Sequence, residues 1–211
     1  LEGLPVQVAS AVLAAPAAIA LWIEARAPEL ASAGALSILV VGAEKTDAAD
    51  AGRWYQVLPS MLDTDLRVAV TLLGAELDEG FVSDAAAHAP EQPARCVRGE
   101  LGGFLAGDEA GHFDIAFVFQ PGLQKHREWL GADGFPQILA RGIPLVASAY
   151  EVDEYDMDRW VAECYGYRAG EQPLLNPFFL TLDDARTAIR RSEEHTSELQ
   201  SRLHLVCRLL L

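Results

Sequence analysis

The sequence predicts an α/β fold, Rossmann-like and doubly wound, with a mainly parallel sheet carrying helices on both faces. Two observations support this. Short, nearly continuous apolar runs recur along the chain, as in strands covered on both faces rather than one. Segments of helical periodicity separate these runs, and strand and helix alternating at this spacing argue for parallel strands joined by crossovers. In such sheets, ligands sit at the carboxyl ends of the strands.

The elements follow in chain order. Residues 3–23 contain no charge and are rich in Ala. That length raises a membrane span, but Ala lends little to insertion and much to helix formation, so a helix packed on the sheet is expected. Pro16 should kink or restart it. Residues 36–41 (L-S-I-L-V-V) form the first strand, ending at Gly42. Behind it, Trp54, Val57, Leu58, Met61 and Leu62 recur on one helical face, which Pro59 breaks in two. Residues 66–73 form the second strand, ending at Gly74, so the two runs close as V-G-A-E and L-G-A-E.

Residues 78–111 are rich in Ala, Gly, Pro and acids, and predict irregular chain around a weak strand near residues 95–100. Residues 113–166 carry the densest signal. A strand at 115–119 runs into Gln120-Pro121-Gly122, where Gly122 suits the positive φ of a type II turn. Pro136 and Gly142 bracket a helix around Ile138 and Leu139, and residues 143–149 form another buried strand. Met157, Trp160, Val161, Cys164 and Tyr165 predict the core face of a helix capped by Asp153 or Asp156 and closed by Gly166. Residues 176–180 are extended and suit a last strand.

The ends bound the domain. Residues 191–201 (R-S-E-E-H-T-S-E-L-Q-S) resemble the conceptual translation of a sequencing-library adapter, with 202–211 continuing out of it. One domain is therefore expected over residues 1–190, truncated at both ends, with 191–211 a non-native tail. About 190 residues can bury roughly 70% of the unfolded surface without a metal or disulfide staple.

The formal net charge of -15 repels phosphate backbones, and no Lys/Arg stripe opposes it, so nucleic acid is not an expected partner. Neither is a membrane. Cys96 and Cys164 fall in no zinc pattern and suit buried thiols in a reducing, cytoplasmic setting.

Motif by motif, little chemistry emerges. The segment V-G-A-E-K-T at 41–46 lacks the second glycine of a Walker loop and the later glycines of a dinucleotide fingerprint. The glycines at 99, 102, 103, 107 and 111 form no phosphate loop. Ser148, in V-A-S-A-Y, is no nucleophile elbow, because Val146 and Tyr150 stand where glycines are needed. His112 and His126 have no partner at ligand spacing, and Trp129 reads as core. What remains is a group at or just past strand carboxyl ends: Glu44, Glu76, Gln120, Gly122, Ser148, Tyr150, Glu151 and Asn176. The fold would gather these on one edge as a polar pocket or partner surface.

Six short motifs recur in order over roughly residues 4–179. They are L-P-V-Q-V-A; V-V-G-A-E with Trp54 following; L-L-G-A-E-L; F-Q-P-G-L with Trp129 following; I-P-L-V-A-S-A-Y-E-V-D-E; and N-P-F. Together they resemble the C-terminal domain of the mitochondrial splicing-suppressor group of MYND zinc-finger proteins. The resemblance implies a Rossmann-like domain whose role no catalytic motif defines. It implies nothing from the finger, whose Cys/His cluster this chain lacks. The Ala-rich composition suggests a high-GC bacterial source.

Two functions are therefore expected. The leading one is a protein-binding or regulatory module without a cofactor. The alternative is an S-adenosylmethionine-dependent methyltransferase-like enzyme with a degenerate cofactor motif, in which Gly42 supplies the turn after the first strand and Glu76 the acid after the second.

Overall fold

The computed structural model describes residues 6–44, 47–77, 94–107, 111–149, 152–169, 174–176 and 204–210. Five parallel strands run in the order β3-β2-β1-β4-β5. They are β1 (Ala35–Val41), β2 (Arg67–Gly74), β3 (Ala94–Arg98), β4 (Ile115–Val118) and β5 (Leu145–Ala149). The chain builds outward from β1 in one direction through β2 and β3, then returns to its other side with β4 and β5. Registers run continuously from Ala35↔Arg67 to Val41↔Leu73 and from Ile38↔Ile115 to Val41↔Val118. The mainly parallel Rossmann-like α/β fold read from the sequence is the one observed.

Side-chain alternation along the strands divides the core. Leu36, Ile38 and Val40 of β1 face one layer, with Val70, Leu72, Ile115 and Phe117. Leu39 and Val41 face the other, with Leu73, Ala116, Val118 and Leu145. Helices cover both layers. On the first lies α1 (Val6–Arg26), whose Trp22 meets Phe117 edge-on at 6.0 Å and 86°. The short α2 (Pro28–Ala31) follows it, and a 3₁₀ helix (Ala49–Val57) leads into α3 (Leu58–Met61). On the second lie α4 (Leu101–Ala106), α5 (Phe135–Leu139) and α6 (Val152–Cys164).

Pro16 does not restart α1, which is continuous through it. An interior proline costs about 3 kcal/mol, and burial of Ala14, Ala17, Ala18, Ile19, Trp22 and Ile23 against the sheet outweighs that. Among the described residues, no helix is long and apolar enough to cross a membrane. The break at Pro59 is found where expected, with 3₁₀ geometry before it and α3 after.

Of the residues expected to bury α6, Val161 does so, and Met157, Trp160, Cys164 and Tyr165 do not. Tyr155, Asp158, Val161 and Ala162 point inward, whereas Met157 is 44% exposed, Trp160 59% and Tyr165 50%. This helix carries two apolar stripes, and periodicity cannot choose between them. The stripe with small Ala162 lets the helix approach the sheet, and the bulkier one turns to solvent. Asp153 lies in the first turn, where its charge suits the helix dipole, rather than at a described cap. Gly166 closes the helix as expected, at φ +89° with its N–H donating to the Glu163 carbonyl. Cys96 is buried, but Cys164, also expected to be buried, is exposed.

Beyond β5 the sheet turns antiparallel. Residues His204–Leu210 form β8, paired with β5 from Leu145↔Leu209 to Ala149↔Leu205. The short β6 (Arg168–Ala169) and β7 (Leu174–Asn176) pair with β8. A segment expected from sequence to lie outside the domain thus pairs with the edge of β5. An apolar run with β-branched Val206 suits any open strand edge. Of residues 176–180, expected as a last strand, Asn176 ends β7, and 177–180 lie outside the described residues.

Candidate functional site

The order of the parallel strands reverses between β1 and β4, and a crevice opens outside their carboxyl ends, where ligands sit in open α/β sheets. A cavity of about 820 Å³ occupies it, within the range of small-molecule sites. Four segments wall it: residues 41–44 at the end of β1, 73–76 at the end of β2, 99–103 from the β3–α4 loop into the first turn of α4, and 118–121 at the end of β4. His126, Glu128, Trp129, Asp133 and Gly134 close it from the β4–α5 connection.

The first turn depends on two glycines for different reasons. Gly42 has φ +74°, and a Cβ there would lie 3.4 Å from Cζ2 of Trp129. Gly74 lies under the Ala43 carbonyl, where a Cβ would come 1.9 Å from the oxygen. That close approach lets Ala43 N–H donate to the Leu73 carbonyl at 2.9 Å, locking the two strand ends together. Beyond it, Glu44 N–H donates to Asp47 Oδ2 at 2.9 Å. Burial pushes the Asp47 carboxyl up, and the Glu44 N–H pulls it partly back.

The far wall is aromatic and glycine-supported. A 3₁₀ helix (Arg127–Leu130) carries Trp129, whose ring stacks on Phe135 at 5.7 Å and 21°. A Cβ on Gly134 would come 2.1 Å from the Trp129 carbonyl oxygen, so only glycine permits this approach. His126 Nδ1 lies 3.0 Å from Glu128 Oε1. The Glu128 carboxyl is held below its usual range, first by its own backbone N–H and then by His126.

Of the residues proposed from sequence, Glu44, Glu76 and Gln120 line this one cavity. Ser148 does not line it. It stands one step behind, at the end of β5, where its hydroxyl accepts from both Gln120 N–H and Gln120 Nε2 at 3.2 Å. Gly122, at φ +54°, shapes the loop after β4 without reaching the cavity wall. Asn176 ends β7 on the antiparallel side of the sheet, in register with His204. Tyr150 and Glu151 lie outside the described residues.

Sequence reasoning did not place Glu100, His126, Glu128, Trp129 or Asp133 at the cavity. Glu100 could have been found, because it follows the weak third strand as Glu76 follows the second. Its glycine neighbours Gly102 and Gly103, read as irregular chain, belong to α4. His126, read as without a partner at ligand spacing, and Trp129, read as core, are brought to the cavity by a connection whose path no periodicity encodes. Among the described residues, no group of three or more His, Cys, Asp or Glu is arranged to hold a metal ion.

No protein-family model and no curated protein matches this chain. Three solved structures resemble it loosely. A methyltransferase candidate from Thermoplasma acidophilum is 14% identical, with 83% of this chain and 68% of that one covered and a TM-score of 0.43. MNMC2 from Aquifex aeolicus is also 14% identical, with coverages of 85% and 55% and a TM-score of 0.42. The plantazolicin methyltransferase BpumL, solved with a monoazolic desmethylPZN analog and SAH, is 9% identical, with coverages of 98% and 99% and a TM-score of 0.33.

Proposed function

We propose that the cavity binds S-adenosylmethionine and that the chain is a methyltransferase-like enzyme. The observation carrying this reading is the charge of the cavity wall. Glu44, Glu76, Glu100, Glu128 and Asp133 line it, and no Lys or Arg is among its described lining residues. A nucleotide held by phosphates would meet like charge there. A nucleoside bearing a sulfonium and an ammonium group instead meets carboxylates.

The residues fit such a ligand. Gly42 keeps the space between the first turn and the Trp129 indole clear of a side chain. Glu76, exposed past β2, can accept hydrogen bonds from a ribose diol. Trp129 offers an aromatic surface to a cationic or aromatic group. When bound, S-adenosylmethionine supplies an electrophilic methyl group. With Glu128 accepting from Nδ1–H, His126 keeps Nε2 free to take a proton from an acceptor nucleophile.

A thermal-shift series with S-adenosylmethionine, S-adenosylhomocysteine, ATP and NAD tests this. Ligand at 100 times its dissociation constant stabilises by about 2.7 kcal/mol, or roughly 5–10 °C for this chain length. The two adenosyl-sulfur compounds should shift the melting temperature and the two phosphate compounds should not. Equal shifts with ATP, or none with S-adenosylhomocysteine at millimolar concentration, would sink the reading.

A second reading, a protein-binding module, is favoured by α6. Val152, Met157, Trp160 and Tyr165 are the large apolar side chains found exposed among the described residues, and all belong to this helix or its C-terminal turn. It also suits the resemblance to the MYND-protein C-terminal domain, which implies no catalytic motif. Exposed Asp153 and Asp156 flank this face and favour a basic amphipathic segment over a second copy of an acidic chain. Binding of such a peptide that survives Trp160→Ser unchanged would exclude the face.

A further inference from the structure

The cavity wall after β4 is pinned from behind by two buried polar side chains that do not themselves line the cavity. Gln120, two residues past β4, has φ +46°, a conformation unfavourable for any residue but glycine, Asn or Asp. It is held there by Ser148, 8% exposed, whose oxygen accepts the Gln120 backbone N–H and side-chain amide together. Four residues on, Gln124 N–H donates at 3.3 Å to Oδ1 of Asp158, which is 7% exposed on the inner face of α6. Between these anchors the segment folds on itself, with the Gly122 carbonyl accepting from Lys125 and His126 N–H at 2.8 and 2.9 Å. Gln120, Pro121 and His126 are thereby presented to the cavity.

Asp158 is an expensive anchor. Its second oxygen, Oδ2, is buried without a hydrogen-bond partner, and a buried charge in that position costs more desolvation energy than an apolar or neutral amide side chain would. Burial pushes its carboxyl up, and the N–H groups of Leu123 and Gln124 pull it partly back. A cavity of about 20 Å³ lies beside it, bounded by Pro121, Ser148, Tyr155 and Arg159 among others. That is room for one water molecule.

The geometry points to Asp158 and Ser148 as positioning residues for the ligand site: they clamp residues 120–126 between α6 and β5 and so set where Gln120, Pro121 and His126 meet a ligand. The inference rests on the cavity being the ligand site, as proposed above. It predicts that loosening the clamp weakens binding without unfolding the sheet.

Hydrogen exchange of the unliganded full chain tests the clamp without any ligand, and S-adenosylhomocysteine titration tests its consequence. In Asp158→Ala, the amides of 120–126 should exchange at least about tenfold faster while those of β1 and β2 are unchanged. Asp158→Asn keeps an acceptor for Gln124 N–H and should restore exchange to within about threefold of wild type. Ser148→Ala should loosen the same segment from its other end. Affinity for S-adenosylhomocysteine should fall about tenfold in Asp158→Ala and return in Asp158→Asn. Exchange at 120–126 that matches wild type in Asp158→Ala, or rises equally in β1 and β2, overturns the clamp. A wild-type chain that binds no S-adenosylhomocysteine overturns the function proposed above, and the exchange measurement then decides the clamp by itself.

Discussion

Residues 42–44 and 74–76 spell the same G-A-E at the ends of neighbouring parallel strands, yet their glycines are required for unrelated reasons. Gly42 is needed for its backbone conformation, φ +74°, with ordinary contact distance to Trp129 where a Cβ would stand. Gly74 has no positive φ and is needed for space, since the Ala43 oxygen already fills the Cβ position. One glycine is fixed by backbone conformation and the other by lack of space. The carboxylates after them differ too: Glu44 is tied through its own N–H to Asp47, while Glu76 stands past a strand end that the Ala43–Leu73 hydrogen bond holds in place.

Substitutions can break that comparison. Gly74→Ala should be the most damaging, because backbone must move from backbone; we expect a loss of about 3 kcal/mol or more in urea denaturation. Gly42→Ala meets only left-handed strain, so about 1–2 kcal/mol is expected. Equal losses at the two sites would remove the distinction. The carboxylates sharpen it: Glu76→Gln should weaken S-adenosylhomocysteine about tenfold by calorimetry. Glu44→Gln should change affinity by less than about threefold, since its backbone rather than its side chain holds the turn.

The tip of β4 extends the comparison, because Gln120 adopts a positive φ without being glycine and depends on anchors behind it. Asp158→Asn should raise stability by about 1 kcal/mol at neutral pH by removing a buried charge while keeping the acceptor. The sign follows from the raised carboxyl of Asp158. A folded pKa above the unfolded value near 3.9 favours the fold below that value, and this contribution is lost as pH rises through the folded pKa. The advantage of Asp158→Asn should therefore vanish below about pH 4 and grow as pH rises. Thermal melts across that range would show it. A variant less stable than wild type at neutral pH would mean that the charge itself is stabilising.

Particular residues show how far the sequence could be read. Leu36, Ile38 and Val40 on one face of β1, with Leu39 and Val41 on the other, already announce a strand covered on both sides, because burial on both faces requires a continuous apolar run. Glu44, Glu76 and Gln120 could be grouped because strand direction in a parallel sheet places every carboxyl end on one edge. Ser148 was placed at that edge but not behind Gln120, and Asp158 was not singled out at all. Its burial follows from which stripe of α6 turned inward, and that depends on how closely Ala162 allows the helix to approach the sheet.

By itself, then, the sequence determined the alternation of strands and helices, the two-sided core and the edge on which the cavity opens. These follow from local apolar patterning and the handedness of crossovers, which act over short stretches of chain. Only the tertiary structure decided that Trp129 and His126 close the cavity, that Met157 and Trp160 face outward, and that Asp158 holds the β4 tip from behind. Those outcomes depend on contacts between segments distant in sequence, where side-chain size and a single hydrogen bond choose among arrangements that the local pattern leaves equivalent.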